Sequence, residues 1–219
     1  MKLVAKGNTA EIMEYEGGLI CKLFAEGYPE DAVRHEFRNA RTVFGLGIQA
    51  PAAHELVMIG SRDGILYDRV MGEDLLILLQ RANPADRVNW MTRFCKFHKE
   101  ILRYRTEALM DYRDFLRMLA ENVPEMTEKI NRLPDGNHLL HGDYHPGNVM
   151  VDVNGALWLI DMMNVCRGPA EYDVARTYFL LGVDEAIQKS YLNFMNYGYD
   201  EIRPYLDVII PLREKEMNQ

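Results

Sequence analysis

The stretch His141-Gly142-Asp143-Tyr144-His145-Pro146-Gly147-Asn148, followed after an apolar hairpin by Ile160-Asp161, holds residue types that phosphoryl transfer needs. A carboxylate must accept the proton of the attacking hydroxyl, and hard oxygen ligands must hold the magnesium that neutralises the β- and γ-phosphates. Asp143 and Asn148 are five residues apart. A loop of that length lets Asp143 face a substrate as catalytic base while Asn148 turns back toward a metal. Asp161 ends the strand that follows, and the hairpin returns it to the metal side. Taken singly, each residue has an ordinary role: Asp143 can cap a turn, Asn148 start a strand and Asp161 end one. Taken together they favour chemistry, since a chance match to four fixed residues in such a chain is on the order of one in a thousand.

These residues need elements to carry them. Short strands are predicted at Lys2–Ala5, Ala10–Tyr15 and Leu19–Phe24, with a tight turn over Gly7–Thr9 and a hairpin turn at Glu16-Gly17-Gly18. Pro29, then acidic Glu30 and Asp31, suits a helix start. Ala32, Val33, Phe37, Ala40 and Phe44 continue that helix at its spacing, and Gly45 or Gly47 stops it. A second hairpin is predicted from His54–Ile59 and Ile65–Val70 around Ser61-Arg62-Asp63-Gly64. Helices follow near 73–81, 85–104, 111–121 and 123–132. Asn148–Val153 and Ala156–Ile160 then read as strands joined by Asn154-Gly155, and helices as occupying 170–182, 184–197 and 201–216. The predicted fold is α+β in two lobes: a strand-rich N-lobe over 1–71 and a mainly helical C-lobe over 72–219, with a hinge near 67–72.

Composition narrows the class of protein. The chain has 219 residues, 48% apolar and 26% charged, as a globular protein does. No apolar run reaches the ~20 residues of a membrane span. Lys6, Glu11 and Glu14 break the N-terminus, so no signal-peptide core is expected and the chain reads as cytoplasmic. Cys21, Cys95 and Cys166 are isolated, and the expectation is reduced, buried thiols. A net charge of −8 argues against a nucleic-acid partner and is compatible with a cationic substrate. No membrane partner is expected.

The segment HGDYHPGNVM…LWLIDMMNVCRGPAEYDVARTY resembles the aminoglycoside phosphotransferase and choline kinase family, whose fold is protein-kinase-like. The resemblance implies a phosphotransferase that moves the γ-phosphoryl group of ATP or GTP to a hydroxyl of an aminoglycoside-, amino alcohol- or sugar-like molecule. It implies Asp143 as the base and Mg2+ on Asn148 and Asp161. His141 would buttress the loop and His145 would shape it. Asp173 matches a position that orders the loop after the metal site, although a helix cap is the plainer reading of an Asp there. Lys22, mid-strand between apolar neighbours, would pair with the α- and β-phosphates, with Glu36 on the next helix as its partner; the plain alternative is an edge-strand lysine facing solvent. By position alone, Asn8 and Thr9 fall where a loop would cover the nucleotide, and Tyr67 to Val70 where backbone groups would meet an adenine. His98 reads as a packed core histidine. Asp184, Glu185, Asp200 and Glu201 read as surface charges.

The chain departs from the family where a second acidic residue often follows the metal Asp, since that place holds Met163. Gly168-Pro169 likewise stands where the family has Gly-Asp-Pro. These departures imply one magnesium, or a weaker second. A protein kinase is disfavoured because the stretch from Asp161 to Ala170 is too short for a peptide-docking segment. A nucleotide-binding pseudokinase is disfavoured because a binding-only module need not keep the base.

Overall fold

Tight turns and short alternating runs build the first part of the chain. The computed structural model describes residues 1–121, 123–182 and 184–217, so the last residues of the expected C-lobe, 218–219, lie outside the described residues. The chain packs as two units, Met1–Leu75 with Asn148–Asn164, and Leu76–Gly147 with Val165 onward.

In the first unit β1 (Leu3–Lys6), β2 (Ala10–Glu14), β3 (Leu19–Phe24), β4 (Ala53–Ile59) and β5 (Arg62–Asp68) form one antiparallel sheet in the order β1-β2-β3-β5-β4. Gly17 and Gly18 close the β2–β3 hairpin at φ 70° and 79°, a left-handed turn that only glycine enters without cost. Cys21, Leu23 and Leu66 are buried under this sheet with Met13, Tyr15, Leu19, Val57 and Ile59 packed around them. Helix α1 (Glu30–Gly45) lies on β4 and β5 and buries Val33, Ala40 and Val43. Pro29 takes the N-cap place just before its first turn.

The β4–β5 turn is tighter than predicted. Ile59 pairs with Arg62, so Gly60-Ser61 is the whole loop and Arg62 and Asp63 belong to the strand. Gly60 supplies the positive φ. Arg62 is held in register by its guanidinium, which donates to the Phe24 and Leu23 carbonyls at 2.6 and 3.1 Å and to Glu11 at 2.8 Å.

A second sheet in the first unit has the order β6-β8-β9, from Gly72–Asp74, Val149–Asp152 and Leu157–Leu159. The predicted lobe boundary at 71/72 assigns the β8–β9 hairpin to the helical lobe. The structure groups it with the strand-rich unit, because β6 pairs with β8 and the Gln49 carbonyl accepts from the Leu159 amide at 2.8 Å. Its loop also differs from a two-residue turn. Asp152 N–H donates to the Ala156 carbonyl and Gly155 N–H to the Asp152 carbonyl, leaving a three-residue loop with Gly155 at φ 82°.

The second unit holds most of α2 (Leu75–Arg81), then α3 (Pro84–Ile101), α4 (Tyr112–Ala120), α5 (Pro124–Asn131), α6 (Ala170–Leu180), α7 (Glu185–Met195) and α8 (Tyr199–Met217). β7 (His138–Leu140) and β10 (Cys166–Gly168) pair antiparallel ahead of the 141–148 segment and of α6. The core here is aromatic: Phe94, His98 and Tyr144 stack at 4.1–4.4 Å, and Tyr112 meets Tyr172 at 4.8 Å. All three cysteines are free and buried. Among the described residues, no helix is long and apolar enough to cross a membrane.

Candidate active site

Each unit carries one part of the predicted chemistry. In the first unit Lys22 leaves β3 toward α1 and the end of β9. Its Nζ donates to Glu36 Oε1 and Oε2 at 2.8 and 2.9 Å and to Asp161 Oδ1 at 3.0 Å. Glu36 is 1% exposed, so it does not decorate a helix face, and Lys22 is no solvent-facing edge lysine. Burial alone would lower the Lys22 amine, but the Glu36 and Asp161 carboxylates outweigh it and hold the ammonium protonated. Tyr67 lies within β5 and its hydroxyl donates to Glu36 Oε1 at 3.1 Å. Its side chain therefore braces the carboxylate partner of Lys22. Val70 is half-buried in the segment between β5 and β6.

Asn148 and Asp161 lie at the same end of the β8–β9 hairpin, since Ile160 N–H donates to the Asn148 carbonyl at 3.1 Å. Asp161 has φ 64°, an uncommon region for a residue with a Cβ. Its side chain is 43% exposed, whereas Asn148 is buried. On α1, Asn39 donates from Nδ2 to the Met162 carbonyl at 3.0 Å and so holds the residue beside Asp161. Among the described residues no three His, Cys, Asp or Glu side chains converge on a metal cage. One Asp and one Asn are a fitting donor pair for magnesium, which keeps water and phosphate oxygens in most of its positions. Asn8 and Thr9 occupy the exposed β1–β2 turn, where Gly7 N–H donates to the Ala10 carbonyl and Ala25 N–H to the Thr9 carbonyl. No side-chain contact ties them to Lys22.

The second unit holds the Asp143 loop. Asp173 anchors it: Oδ2 accepts from the His141 amide at 2.8 Å and Oδ1 from the Gly142 amide at 2.8 Å. The predicted helix cap is not its role, because Pro169 occupies the N-cap of α6 and Asp173 is fully buried inside the helix. His98, reached from α3, completes the anchor. Its Nε2 lies 3.0 Å from Asp173 Oδ2, and its Nδ1 lies 2.8 Å from the Tyr191 hydroxyl. The carboxylate can only accept, so the proton on that side belongs to Nε2. Burial would push the Asp173 carboxyl up, but His98, His141 and the loop amide hold it below its ordinary value.

Asp143 itself is 20% exposed. His145 Nε2 lies 3.6 Å from its Oδ2, and Arg176 Nη2 lies 3.4 Å from its Oδ1. Burial raises the Asp143 carboxyl; His145 and Arg176 more than reverse this and pull it down to about 2. His141 is buried in the loop and meets the Tyr144 ring edge-on at 6.1 Å. Sequence reasoning missed Asn39, Arg176 and the anchoring role of His98. For the first two a signal existed, since Asn39 is three residues after Glu36 and Arg176 three after Asp173, the spacing that shares a helix face.

An α+β chain with a lysine held between a buried and a half-exposed carboxylate in one unit and an anchored, ionised Asp loop in the other is built as phosphotransferases are. A family model described as the phosphotransferase enzyme family matches residues 6–205, and the chain belongs to that family. Among solved structures it is similar to a thermostable mutant of the aminoglycoside phosphotransferase APH(4)-Ia, at 15% identity over 99% of this chain and 88% of that one, TM-score 0.69. It is also similar to APH(3'')-Id from Streptomyces rimosus in complex with ADP and streptomycin, at 17% identity over 92% and 90%, TM-score 0.51. LicA in complex with AMP is a third, at 15% identity over 97% and 80%, TM-score 0.62. At these identities the likeness is one of fold. No curated protein matches.

Proposed function

We propose that this phosphotransferase moves the γ-phosphoryl group of ATP, or of GTP, directly to a hydroxyl of a small molecule, with Asp143 as the base. The observation that carries the reading is the Lys22–Glu36–Asp161 triad, a lysine held between a buried carboxylate and one that reaches solvent. Nucleotides accompany several structures of this fold, including ADP with hygromycin B, AMP-PNP with hygromycin B, and ATP with streptomycin.

In this reading Lys22, steadied by Glu36 and Tyr67, gives its ammonium to the α- and β-phosphates. Asn148 and Asp161 would hold Mg2+, which when bound offsets charge on the transferring phosphoryl group. Asp143 aligns the acceptor hydroxyl and receives its proton as the phosphorus–oxygen bond forms. Asn8 and Thr9 cover the phosphates, and backbone groups from Tyr67 to Val70 meet the base. His141, His145 and Asp173 keep the loop in shape.

Turnover of ATP and GTP with magnesium across aminoglycosides, amino alcohols, sugars and nucleosides tests this, with Asp143→Ala beside the wild type. Acceptor-stimulated transfer should fall by on the order of 10³-fold in the variant. Nucleotide binding without transfer to any acceptor, equal in both proteins, would favour a pseudokinase instead.

A further inference from the structure

The function above leaves Arg176 without a part. Its side chain is 4% exposed on α6, whereas that of Asp143 is 20% exposed. Nε donates to the Gly142 carbonyl at 3.0 Å while Nη2 lies 3.4 Å from Asp143 Oδ1. One planar guanidinium thus grips the backbone of one residue and the side chain of the next, which the single ammonium of a lysine cannot reproduce. The other carboxylate oxygen faces His145, whose ring is turned by the Gly147 amide donating to Nδ1 at 3.1 Å. A guanidinium this buried does not present itself to a phosphate group. It acts through Asp143.

We propose that Arg176 is a positioning residue for phosphoryl transfer: it fixes the Asp143 side chain and keeps it ionised, so that the acceptor hydroxyl is aligned first and deprotonated late. The inference rests on Asp143 being the base. In the step, the acceptor oxygen bonds to the γ-phosphorus as the bond from that phosphorus to the nucleotide's β–γ bridging oxygen breaks. The bridging oxygen leaves with the electron pair on the diphosphate, and the hydroxyl proton passes to Asp143. A carboxylate flanked by a guanidinium is a weak base and cannot strip an alcohol beforehand. A loose transition state does not require it to, because the oxygen turns acidic only as its bond to phosphorus forms. Among the groups facing Asp143 are His141 and His145 from its own loop and Tyr172 and Arg176 from α6, with Cys166 of β10 beside Arg176. Of these, Arg176 alone carries a charge that does not titrate.

The test reads Asp143 directly, by carboxyl 13C NMR of aspartate-labelled protein from pH 8 downward, with its resonance assigned by its loss in Asp143→Asn. Magnesium-ATP turnover with water as acceptor is measured beside it. In the wild type the Asp143 carboxyl should show no midpoint above pH ~4. In Arg176→Gln its midpoint should rise by about one unit or more, while kcat falls roughly 10- to 100-fold at unchanged KM for ATP, and Arg176→Lys should lie between. An unmoved midpoint, or kcat within about twofold of wild type, overturns the proposal while an inactive Asp143→Asn leaves the function standing. Full turnover by Asp143→Asn overturns both. Should Arg176→Gln not fold, the wild-type titration still decides: a midpoint at or above ~4 overturns the inference.

Discussion

Lys22 has two carboxylates within 3.0 Å, and Asp143 has a cationic or proton-bearing neighbour at each oxygen. The two arrangements make different demands. In the proposed reading Lys22 exchanges a carboxylate for a phosphate, so its replacement should be felt with nucleotide: Lys22→Met is expected to lose roughly 10²–10³-fold in kcat, measured with magnesium-ATP. Asp143 must stay charged. Its carboxyl is pulled down to about 2, below the ordinary value near 3.9, so the stability its charge contributes is fully present above pH ~4 and is lost as the pH falls toward 2. The gap in stability between wild type and Asp143→Asn should therefore be about 2 kcal/mol at neutral pH and close only in melts run at pH ~2 or below. The residues whose type is costly where they stand were legible: a lysine amid apolar strand positions, and an Asp and Asn at fixed spacing. The buried partners were not. Helical periodicity places Asn39, Arg176 and His98 on inward faces, but a polar side chain there announces no partner until the opposing element is known.

Among elements, the longer strands and all the helices stood out because their period repeats several times. β6, β7 and β10 did not, for three residues are too few to establish an alternation; β9, equally short, is marked instead by the Asn154-Gly155 turn before it. Yet β6, the strand that leads into α2, is what the β8–β9 hairpin pairs with. Its pairing brings backbones so close that a Cβ on Gly72 would lie 1.9 Å from the Val151 carbonyl oxygen. Gly72→Ala should destabilise the protein by about 3 kcal/mol, the upper end of overpacking costs, and thermal melting reads it. Gly155→Ala, which meets open space but sits at φ 82°, should cost only about 1 kcal/mol. Asn-Gly, the strongest short turn signal, predicts a two-residue loop for this hairpin. Asp152 overrules it by accepting the Asn154 and Ala156 amides on Oδ1, at 2.9 and 2.8 Å.

For the whole molecule, the α+β class followed from the change of pattern along the chain, whereas the grouping of the hairpin did not, since no local signal says which elements a returning strand will join. If the triad serves a nucleotide, saturating magnesium-ATP at ~100 times its Kd should add about 2.7 kcal/mol to stability, and Lys22→Met should abolish most of that rise in Tm. The discontinuity of the first unit has a further consequence, for biosynthesis. Its opening segment, Met1–Leu75, is made first, but Asn148–Asn164 emerges only after the intervening residues have been translated. At ~5–20 residues per second that is a wait of several seconds, during which Gly72–Asp74 has no β8 to pair with. A ribosome stalled before Asn148 should hold a nascent chain that proteases cut readily around residue 72, and one released past Asn164 should not.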